Sequence, residues 1–413
     1  MKSRIAIIAA LALSLTTSAF AATNVKEMFT EGTGRGEIKF MDFTKDYDTA
    51  KTKRDSAFGG LLYYKTAPLY GISFGTAFAT TNNIGDNDSD SVYGLLGRND
   101  DGSHKSVTRM QEYYIQGDWF KTQIKYGAQE VNTPMMHTHQ IRLLPRSYKG
   151  LSVVNNSVNN LTLSGYYITD SLGWADEDFV SISDAAASGP AGSVNIDDNP
   201  FYIFGANYKL PVESVNSSVQ AWYYTMPDVF NEQYFDISVS KDLGGVTVYT
   251  KPTLLLQKSQ GDELVGDFST EHYGLSLGAK YYGFDLTGFY AKTGDDALLD
   301  KWGASMVVIQ QVLNSCRAEE DVYAARLAYD FGKLGLKGLS AYVFYAKYDT
   351  PETGSNASAD MAETDYSIQY DFGGALQGFG VRARYATIDV DDGDDYDDTR
   401  FYVTYKFSFG GKK

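Results

Sequence analysis

Residues 400–409 read Arg400-Phe-Tyr-Val-Thr-Tyr-Lys-Phe-Ser-Phe409. Phe401, Val403, Tyr405, Phe407 and Phe409 alternate with Arg400, Tyr402, Thr404, Lys406 and Ser408. Successive side chains of a strand point to opposite faces, so this is a strand whose two faces meet different media. The run before it repeats the pattern, with Val381, Ala383 and Tyr385 on one face and Arg382 and Arg384 on the other. A soluble sandwich buries its apolar face against a second sheet. A transmembrane barrel turns that face to lipid and its polar face to a water-filled lumen. On the barrel reading, three arginines and a lysine project into the lumen from adjacent strands; on the soluble reading they form an exposed basic face.

The start of the chain decides between the two. Met1 to Ala21 has the form of a secretory leader: Lys2 and Arg4, then a short apolar core from Ile5 to Leu15, then Ala19-Phe20-Ala21 with small residues where signal peptidase cuts. The core is too short to span a bilayer, so the leader is removed and residues 22–413 are expected to form a single barrel domain in the outer membrane of a Gram-negative cell. No later stretch supplies the roughly 20 consecutive apolar residues of a membrane helix. The mean hydropathy of −0.30 resembles that of a soluble protein, but lumen-facing polar residues dilute the average of a barrel in the same way. Composition favours strands with aromatic girdles: 32 Tyr, 23 Phe and 40 Gly against 9 Pro. The one cysteine, Cys316, has no partner for an internal disulfide, so an exported fold must rest on its strand ladder. A net charge of −16 argues against nucleic acid as a partner.

Taken in order, the chain predicts strands from about Arg35–Phe43 onward, about eighteen in all, an even number as bacterial barrels require. Short links near 68–71, 117–120, 241–244 and 281–283 alternate with long ones at 81–106, 132–147, 171–199, 258–268, 294–320 and 349–362. Such alternation is expected of an all-β, up-and-down antiparallel β-barrel with periplasmic turns and outer loops. There is no room for a separate plug domain.

The segment Asn132 to Gly150 differs from the other loops. The loops at 81–106 and 349–362 are acidic and built of small residues, as solvent requires. This one carries Met135, Met136, Ile141, Leu143, Leu144, Pro134 and Pro145. A loop so apolar is expected to fold into the barrel as a constriction, with Asn132, Pro134, His137, His139, Arg142, Pro145 and Arg146 in it and Arg142, Arg146 and Lys149 at or near the narrowest point. Packing on neighbouring outer loops is the alternative. Ala297 to Asn314 shows a helical apolar rhythm (Leu298, Leu299, Trp302, Met306, Ile309, Val312, Leu313), which predicts a short helix on or in the mouth, either as a gate or as ordinary loop packing.

Here a family resemblance enters. Lys125-Tyr-Gly-Ala-Gln129, Thr133-Pro134, Arg142-Leu-Leu-Pro145 and Tyr148-Lys-Gly150 resemble the strand, inward loop and next strand of the OprD family of outer-membrane porins. Val381-Arg-Ala-Arg384 and Thr399-Arg400-Phe-Tyr-Val-Thr-Tyr405 resemble its closing strands, and Tyr323-Ala-Ala-Arg326 with Gly335-Leu-Lys-Gly-Leu339 its strand pair after a long late loop. The resemblance implies an 18-stranded barrel narrowed by infolded loops, with a ladder of basic residues that guides carboxylate-bearing solutes. Arg382, Arg384 and Arg400 match ladder positions, and Lys39 matches more loosely. The chain departs from the family in running past Phe409 as Gly-Gly-Lys-Lys and in the sequence of its 294–320 loop, whose pocket residues are not carried over.

Parity alone places Lys39, Lys121, Lys125, Arg326, Arg382, Arg384, Arg400 and Lys406 on the lumen side. Charges on the wall of a narrow, low-dielectric lumen concentrate opposite charge, and arginine offers a carboxylate a planar pair of donors. The alternative is that the lysines pair with lumen acids such as Glu37. The acidic runs Asp86–Asp90 and Asp391–Asp398 are read as solvated loops that meet lipopolysaccharide through loosely held divalent cations, and His137 and His139 lack the further ligands of a zinc site. No pattern calls for a cofactor. His104, His137, His139 and His272 are the only histidines, and none lies in a nucleophile motif. The expected function is a porin for small solutes, guided by the basic ladder, in contact with outer-membrane lipid and present as a monomer or homotrimer. The competing readings are a barrel enzyme of the phospholipase kind, which needs a serine beside His272, and a plugged structural or adhesive barrel.

Overall fold

The structure, a computed structural model, describes residues 21–85, 92–99, 102–188, 196, 198–303 and 305–411. The leader lies outside them except for Ala21, and so does the acidic run Asp86–Asp90. Eighteen antiparallel strands follow one another in chain order: β1 (Thr33–Tyr47), β2 (Lys53–Lys65), β3 (Ile72–Asn83), β4 (Val107–Trp119), β5 (Thr122–Gln129), β6 (Ser147–Asn155), β7 (Leu161–Leu172), β8 (Phe201–Leu210) and β9 (Asn216–Met226), then β10 (Phe230–Asp242), β11 (Val246–Ser259), β12 (Ser269–Tyr281), β13 (Phe284–Thr293), β14 (Asp321–Asp330), β15 (Leu339–Asp349), β16 (Met361–Asp371), β17 (Phe379–Val390) and β18 (Tyr396–Gly410). Each pairs with the next, and β18 returns to β1 in register from Tyr396 opposite Tyr47 to Gly410 opposite Thr33, so the sheet has no edge. Among the described residues no helix is long and apolar enough to cross a membrane; the crossing is made by strands.

The period-two pattern sorts the two faces. Ile38, Phe58, Phe74, Ile115, Phe204, Leu277, Leu327 and Phe401 are exposed on the outer wall, where lipid is the solvent. Their alternates, such as Lys39, Ala57, Tyr234, Phe344 and Arg400, are buried towards the lumen. At the closing seam Gly34 and Gly36 sit on the lipid face beneath the rings of Phe409 and Phe407; a Cβ on either glycine would lie 2.1 or 2.2 Å from the ring above it. The terminal aromatic strand therefore covers the glycines of β1 as well as pairing with it. On the turn side a short helix, α1 (Val25–Thr30), capped by the Asn24 side chain, tucks Met28 against Ala22, Ala67 and Leu69.

Among the described residues, four outer loops bury side chains inward, among them that between β7 and β8, whose Ile182 and Ala186 join one cluster with Met135, Met136 and Trp302. The 132–146 loop does so, burying Leu143 and Leu144 against Met41, Phe43, Leu61 and Tyr63. The loop after β3, expected to be solvated throughout, sends Val92, Leu95 and Leu96 into the same cluster. Its polar composition concealed one short apolar stretch that the barrel mouth could bury.

The last is the 294–320 loop, and its described residues hold no helix. Its apolar residues divide between two clusters, Leu298, Trp302 and Met306 in one and Val308 in another, so the helical rhythm did not mark one buried face. Its backbone groups are committed elsewhere: Gln311 N–H donates to Asp365 (3.1 Å), and those of Val312 and Leu313 donate to Glu363 (2.9 and 2.7 Å). Gly303 at φ +80° breaks any helical turn.

Candidate functional site

The lumen narrows where the 132–146 and 294–320 loops meet. Ser305 N–H donates to Pro134 O (2.7 Å), His137 N–H to Trp302 O (3.1 Å) and the Arg146 guanidinium to Lys301 O (2.7 Å). The Asn132 side chain accepts from Thr138, and Pro145 O accepts from Arg109 and Gln111 of β4, both at 3.0 Å. A bulge opposite Ala77 and Phe78 turns both of those β4 residues inward. Trp174 Nε1–H donates to His139 O (2.8 Å), and the Arg146 guanidinium lies 4.1 Å from the Trp174 ring centroid. Gly303 must be glycine here, because a Cβ would lie 2.6 Å from His139 Nδ1. Burial, then the Arg146 charge, lowers His137 to about 4, and burial with the neighbouring cations lowers His139 to about 3. Both rings are therefore neutral at pH 7.

Lys149 does not join this junction. It falls on the opposite parity to the buried Tyr148, pairs with Asp170 (3.6 Å) and lies over the Phe179 ring. Lys121 also leaves the lumen wall: it sits in the turn between β4 and β5 at φ +58°.

Along the closing strands the cations form a line. Strand register sets Lys45 beside Asp398, Arg384 opposite Arg400, Arg382 opposite Tyr402, Lys39 opposite Thr404, Lys406 opposite Glu37 and Arg35 opposite Ser408. The line runs from the loop end of β17, β18 and β1 to the turn end. Arg35 and Lys45 share the parity of Lys39, the signal that could have added them to the sequence-based set. Lys125, four strands further round on β5, lies over the Tyr114 ring and is not part of the line.

The members of this line are not equivalent. Arg400 is paired with Asp398 (2.7 Å), and its Nη2 also donates to Gln311 O (3.1 Å) at the tip of the 294–320 loop. Lys39 donates to Arg142 O and Leu143 O (3.4 and 3.3 Å) and so holds the constriction loop, while Glu37 lies 3.8 Å from Lys39 and 3.7 Å from Lys406. Arg142 donates its Nε–H to Tyr93 O (2.8 Å) and stands over Phe43. Arg326, Arg382 and Arg384 differ: none forms an ion pair with a carboxylate among the described residues. Arg382 donates to Ser367 Oγ (3.1 Å), Arg326 lies over the Tyr342 ring, and the Arg384 Nε–H is buried without a partner.

These three arginines line one cavity of about 320 Å³. Phe289, Tyr342 and Phe344 form its aromatic side, Met306, Val307 and Ile309 of the 294–320 loop close it, and Asp365 is its one carboxylate. A larger hollow of about 480 Å³ lies on the outer wall around Phe204, Ala206 and Ala221. It carries no charged side chain and faces lipid, so the lumen cavity is the candidate site.

The remaining sequence candidates are occupied elsewhere. His272 Nδ1 lies 3.0 Å from Thr293 Oγ1 and its Nε2 accepts from Val307 N–H (3.4 Å); among the described residues no serine is hydrogen-bonded to it. In the 391–398 run Asp394 accepts from the N–H groups of Thr49 and Ala50, Asp397 from the Tyr385 hydroxyl, and Asp398 from Arg400. Among the described residues no three His, Cys, Asp or Glu side chains are grouped as a metal site.

Comparison with known proteins agrees with this geometry. The sequence model of the family described as "outer membrane porin, OprD family" matches residues 82–409. The chain belongs to the OprD family of outer-membrane porins. The porin-like protein GalP of Pseudomonas putida is 22% identical over 296 residues, which are 70% of this chain and 69% of GalP. Among solved structures, OpdK of Pseudomonas aeruginosa with vanillate superposes with a TM-score of 0.83 at 20% identity, over 92% of this chain and 100% of OpdK. A BenF-like porin of Pseudomonas fluorescens gives 0.83 at 17% identity over the same shares. This OprD-family chain is thus an outer-membrane porin for small solutes, with the fold of those barrels.

Proposed function

We propose that this porin admits small carboxylate-bearing solutes, and that Arg382, Arg384 and Arg326 take the carboxylate as it passes the constriction. One observation carries the reading. Three guanidinium groups line a single lumen cavity with one carboxylate, Asp365, and among the described residues none of the three is in an ion pair. A carboxylate arriving in the cavity gains charge-assisted hydrogen bonds from these guanidinium groups. The aromatic side of the cavity suits a flat apolar body attached to that carboxylate. Vanillate, with which OpdK was solved, is an aromatic acid of this kind. Arg400, Lys39 and Lys406, partly neutralised by Asp398 and Glu37, relay the solute above and below, and the 132–146 loop limits its size. We further propose that residues 1–21 are a removed leader and that residues 22–413 belong to a single barrel domain.

The test is R382Q/R384Q in planar bilayers, with single-channel conductance, reversal potential under a salt gradient and flux of an aromatic acid. Losing two charge-assisted hydrogen bonds is expected to lower that flux about tenfold and weaken anion preference, leaving the barrel folded. Unchanged flux and selectivity would overturn the assignment.

A further inference from the structure

The barrel wall is open above β5. Pairing between β4 and β5 stops at Tyr113 opposite Ala128, so Val107 to Glu112 of β4 have no strand beside them on that side. From this gap the 132–146 loop turns into the lumen. Three β4 side chains fill it. The bulge opposite Ala77 and Phe78 sets Gln111 and Glu112 next to each other with both side chains buried, and Arg109 shares the inward parity of Gln111. Glu112 accepts from Glu130 N–H (2.7 Å), where the chain leaves the wall. Gln111 donates to Pro145 O (3.0 Å) and Ser147 Oγ (2.7 Å), where it returns.

Arg109 is the centre of this set. Its Nε–H and Nη2 donate to the Gln111 amide oxygen (3.0 and 2.8 Å), and Nη2 also donates to Pro145 O (3.0 Å). Nη1 donates to Gly173 O (2.6 Å) and Asp176 O (2.5 Å). Every N–H of the guanidinium is thus used, and the residue is only 4% exposed. By parity Arg109 faces the lumen, yet it has no donor left for a solute. Its charge is committed to backbone carbonyls of two loops, which charge-assisted bonds hold more firmly than neutral ones. The 173–176 turn in its grip carries Trp174, which donates to His139 O inside the constriction loop (2.8 Å) and lies under the Arg146 guanidinium. Arg109 therefore holds the loop twice, directly at Pro145 and through the turn at His139 and Arg146. The bonds from Lys39 on the far side, at 3.3 and 3.4 Å, are longer than any of these.

We propose that Arg109 is the positioning residue of the constriction: it fixes how closely the 132–146 loop crosses the lumen and so sets the largest solute the porin admits. The inference rests on the reading that this loop limits solute size, and it is independent of which solutes the arginine cavity takes.

The experiment compares the wild-type protein with R109M, R109K and W174F in planar bilayers. L143A/L144A is the reference, because those leucines pack the loop on the wall. Two quantities are read from each channel: open-channel current noise, and the size of neutral polyethylene glycol at which polymers no longer enter the pore. Losing one charge-assisted bond makes excursions of the loop about tenfold more frequent, so R109M is expected to raise the noise by about that factor and move the exclusion limit to larger polymers. R109K lacks the planar fork that reaches both loops at once, and W174F keeps a ring but loses the bond to His139 O; both are expected to show smaller changes of the same kind. An exclusion limit that moves in L143A/L144A but not in folded R109M would overturn the proposal and leave the loop as the size filter. A limit that moves in none of the variants would overturn both. Noise that rises at an unchanged limit would place the motion away from the constriction and equally overturn the assignment. If R109M does not fold, R109K and W174F decide by the same criteria.

Discussion

Two walls of the lumen carry cations, and they are built differently. On β10 to β13, Lys251 pairs with Asp236 (3.1 Å) and Lys280 with Asp285 (3.2 Å). Asp236 also accepts from Gln220 and the Tyr234 hydroxyl. On β14 to β17, Arg326, Arg382 and Arg384 form no ion pair among the described residues; Arg326 rests on the Tyr342 ring and Arg382 on the hydroxyls of Ser367 and Tyr342. Both walls look basic when residues are counted along the strands. Only one keeps its cations out of ion pairs among the described residues. A paired lysine in a wet lumen presents little net field, whereas an arginine held by a ring and a serine keeps its charge available to a passing anion.

The sharpest break of that comparison is a matched pair of double variants. If flux depends on unpaired charge, R382Q/R384Q carries the tenfold loss described above, while K251Q/K280Q, which removes the same formal charge, changes flux less than about twofold. Single-channel recordings on both, with the same aromatic acid, check this. Equal losses would mean that net lumen charge sets selectivity and that pairing is irrelevant.

A smaller effect is expected from unpairing the quiet wall. D236N leaves Lys251 without its carboxylate while retaining most of the polar contacts at that position. Anion preference, read as reversal potential, is expected to rise by a modest margin, about the size of one freed surface charge. The substitution need not raise aromatic-acid flux, because the cavity with Phe289 and Phe344 lies elsewhere.

How far this was legible in the sequence follows the same division. Alternation in β17 and β18 placed Arg382, Arg384 and Arg400 on the lumen side because strand parity is local and a lipid-facing wall tolerates few polar residues. It placed Lys39 and Lys406 correctly for the same reason. Pairing is not local. Asp398 lies two residues from Arg400 but Glu37 reaches Lys406 only across the closing seam, so parity could not separate paired from unpaired charge. The 132–146 loop was legible because its apolar content had nowhere to go but inward. The 294–320 loop was misread because its fold depends on three backbone N–H groups finding Asp365 and Glu363, about fifty residues later, which a helical rhythm cannot report. Lys149 was misplaced because it was read as the end of the inward loop, whereas it already belongs to β6, on the face opposite Tyr148 and Ser152.

The smallest expected effect concerns the junction that bridges the two walls. Because burial and Arg146 hold His137 at about 4 and His139 at about 3, neither imidazole gains charge between pH 7 and pH 5. Anion preference is therefore expected to stay constant over that range, and recordings at pH 7, 6 and 5 check it. A preference that climbs with acidification, and is lost in H137Q/H139Q, would place titrating loop charge in the selectivity and weaken the case for the arginine wall. Stability behaves otherwise. In the unfolded chain each histidine binds a proton near its ordinary value of 6.5, so the unfolded state takes up protons first as the pH falls. The contribution of the neutral rings is complete above about 6.5 and is lost progressively towards pH 4 and below, where the folded rings are also forced to charge. Thermal unfolding is expected to shift downward across that window, and the shift to shrink in H137Q/H139Q, while selectivity in the channels that remain folded is expected to stay level if, as proposed, it belongs to the arginines and not to the loop that narrows the path beside them.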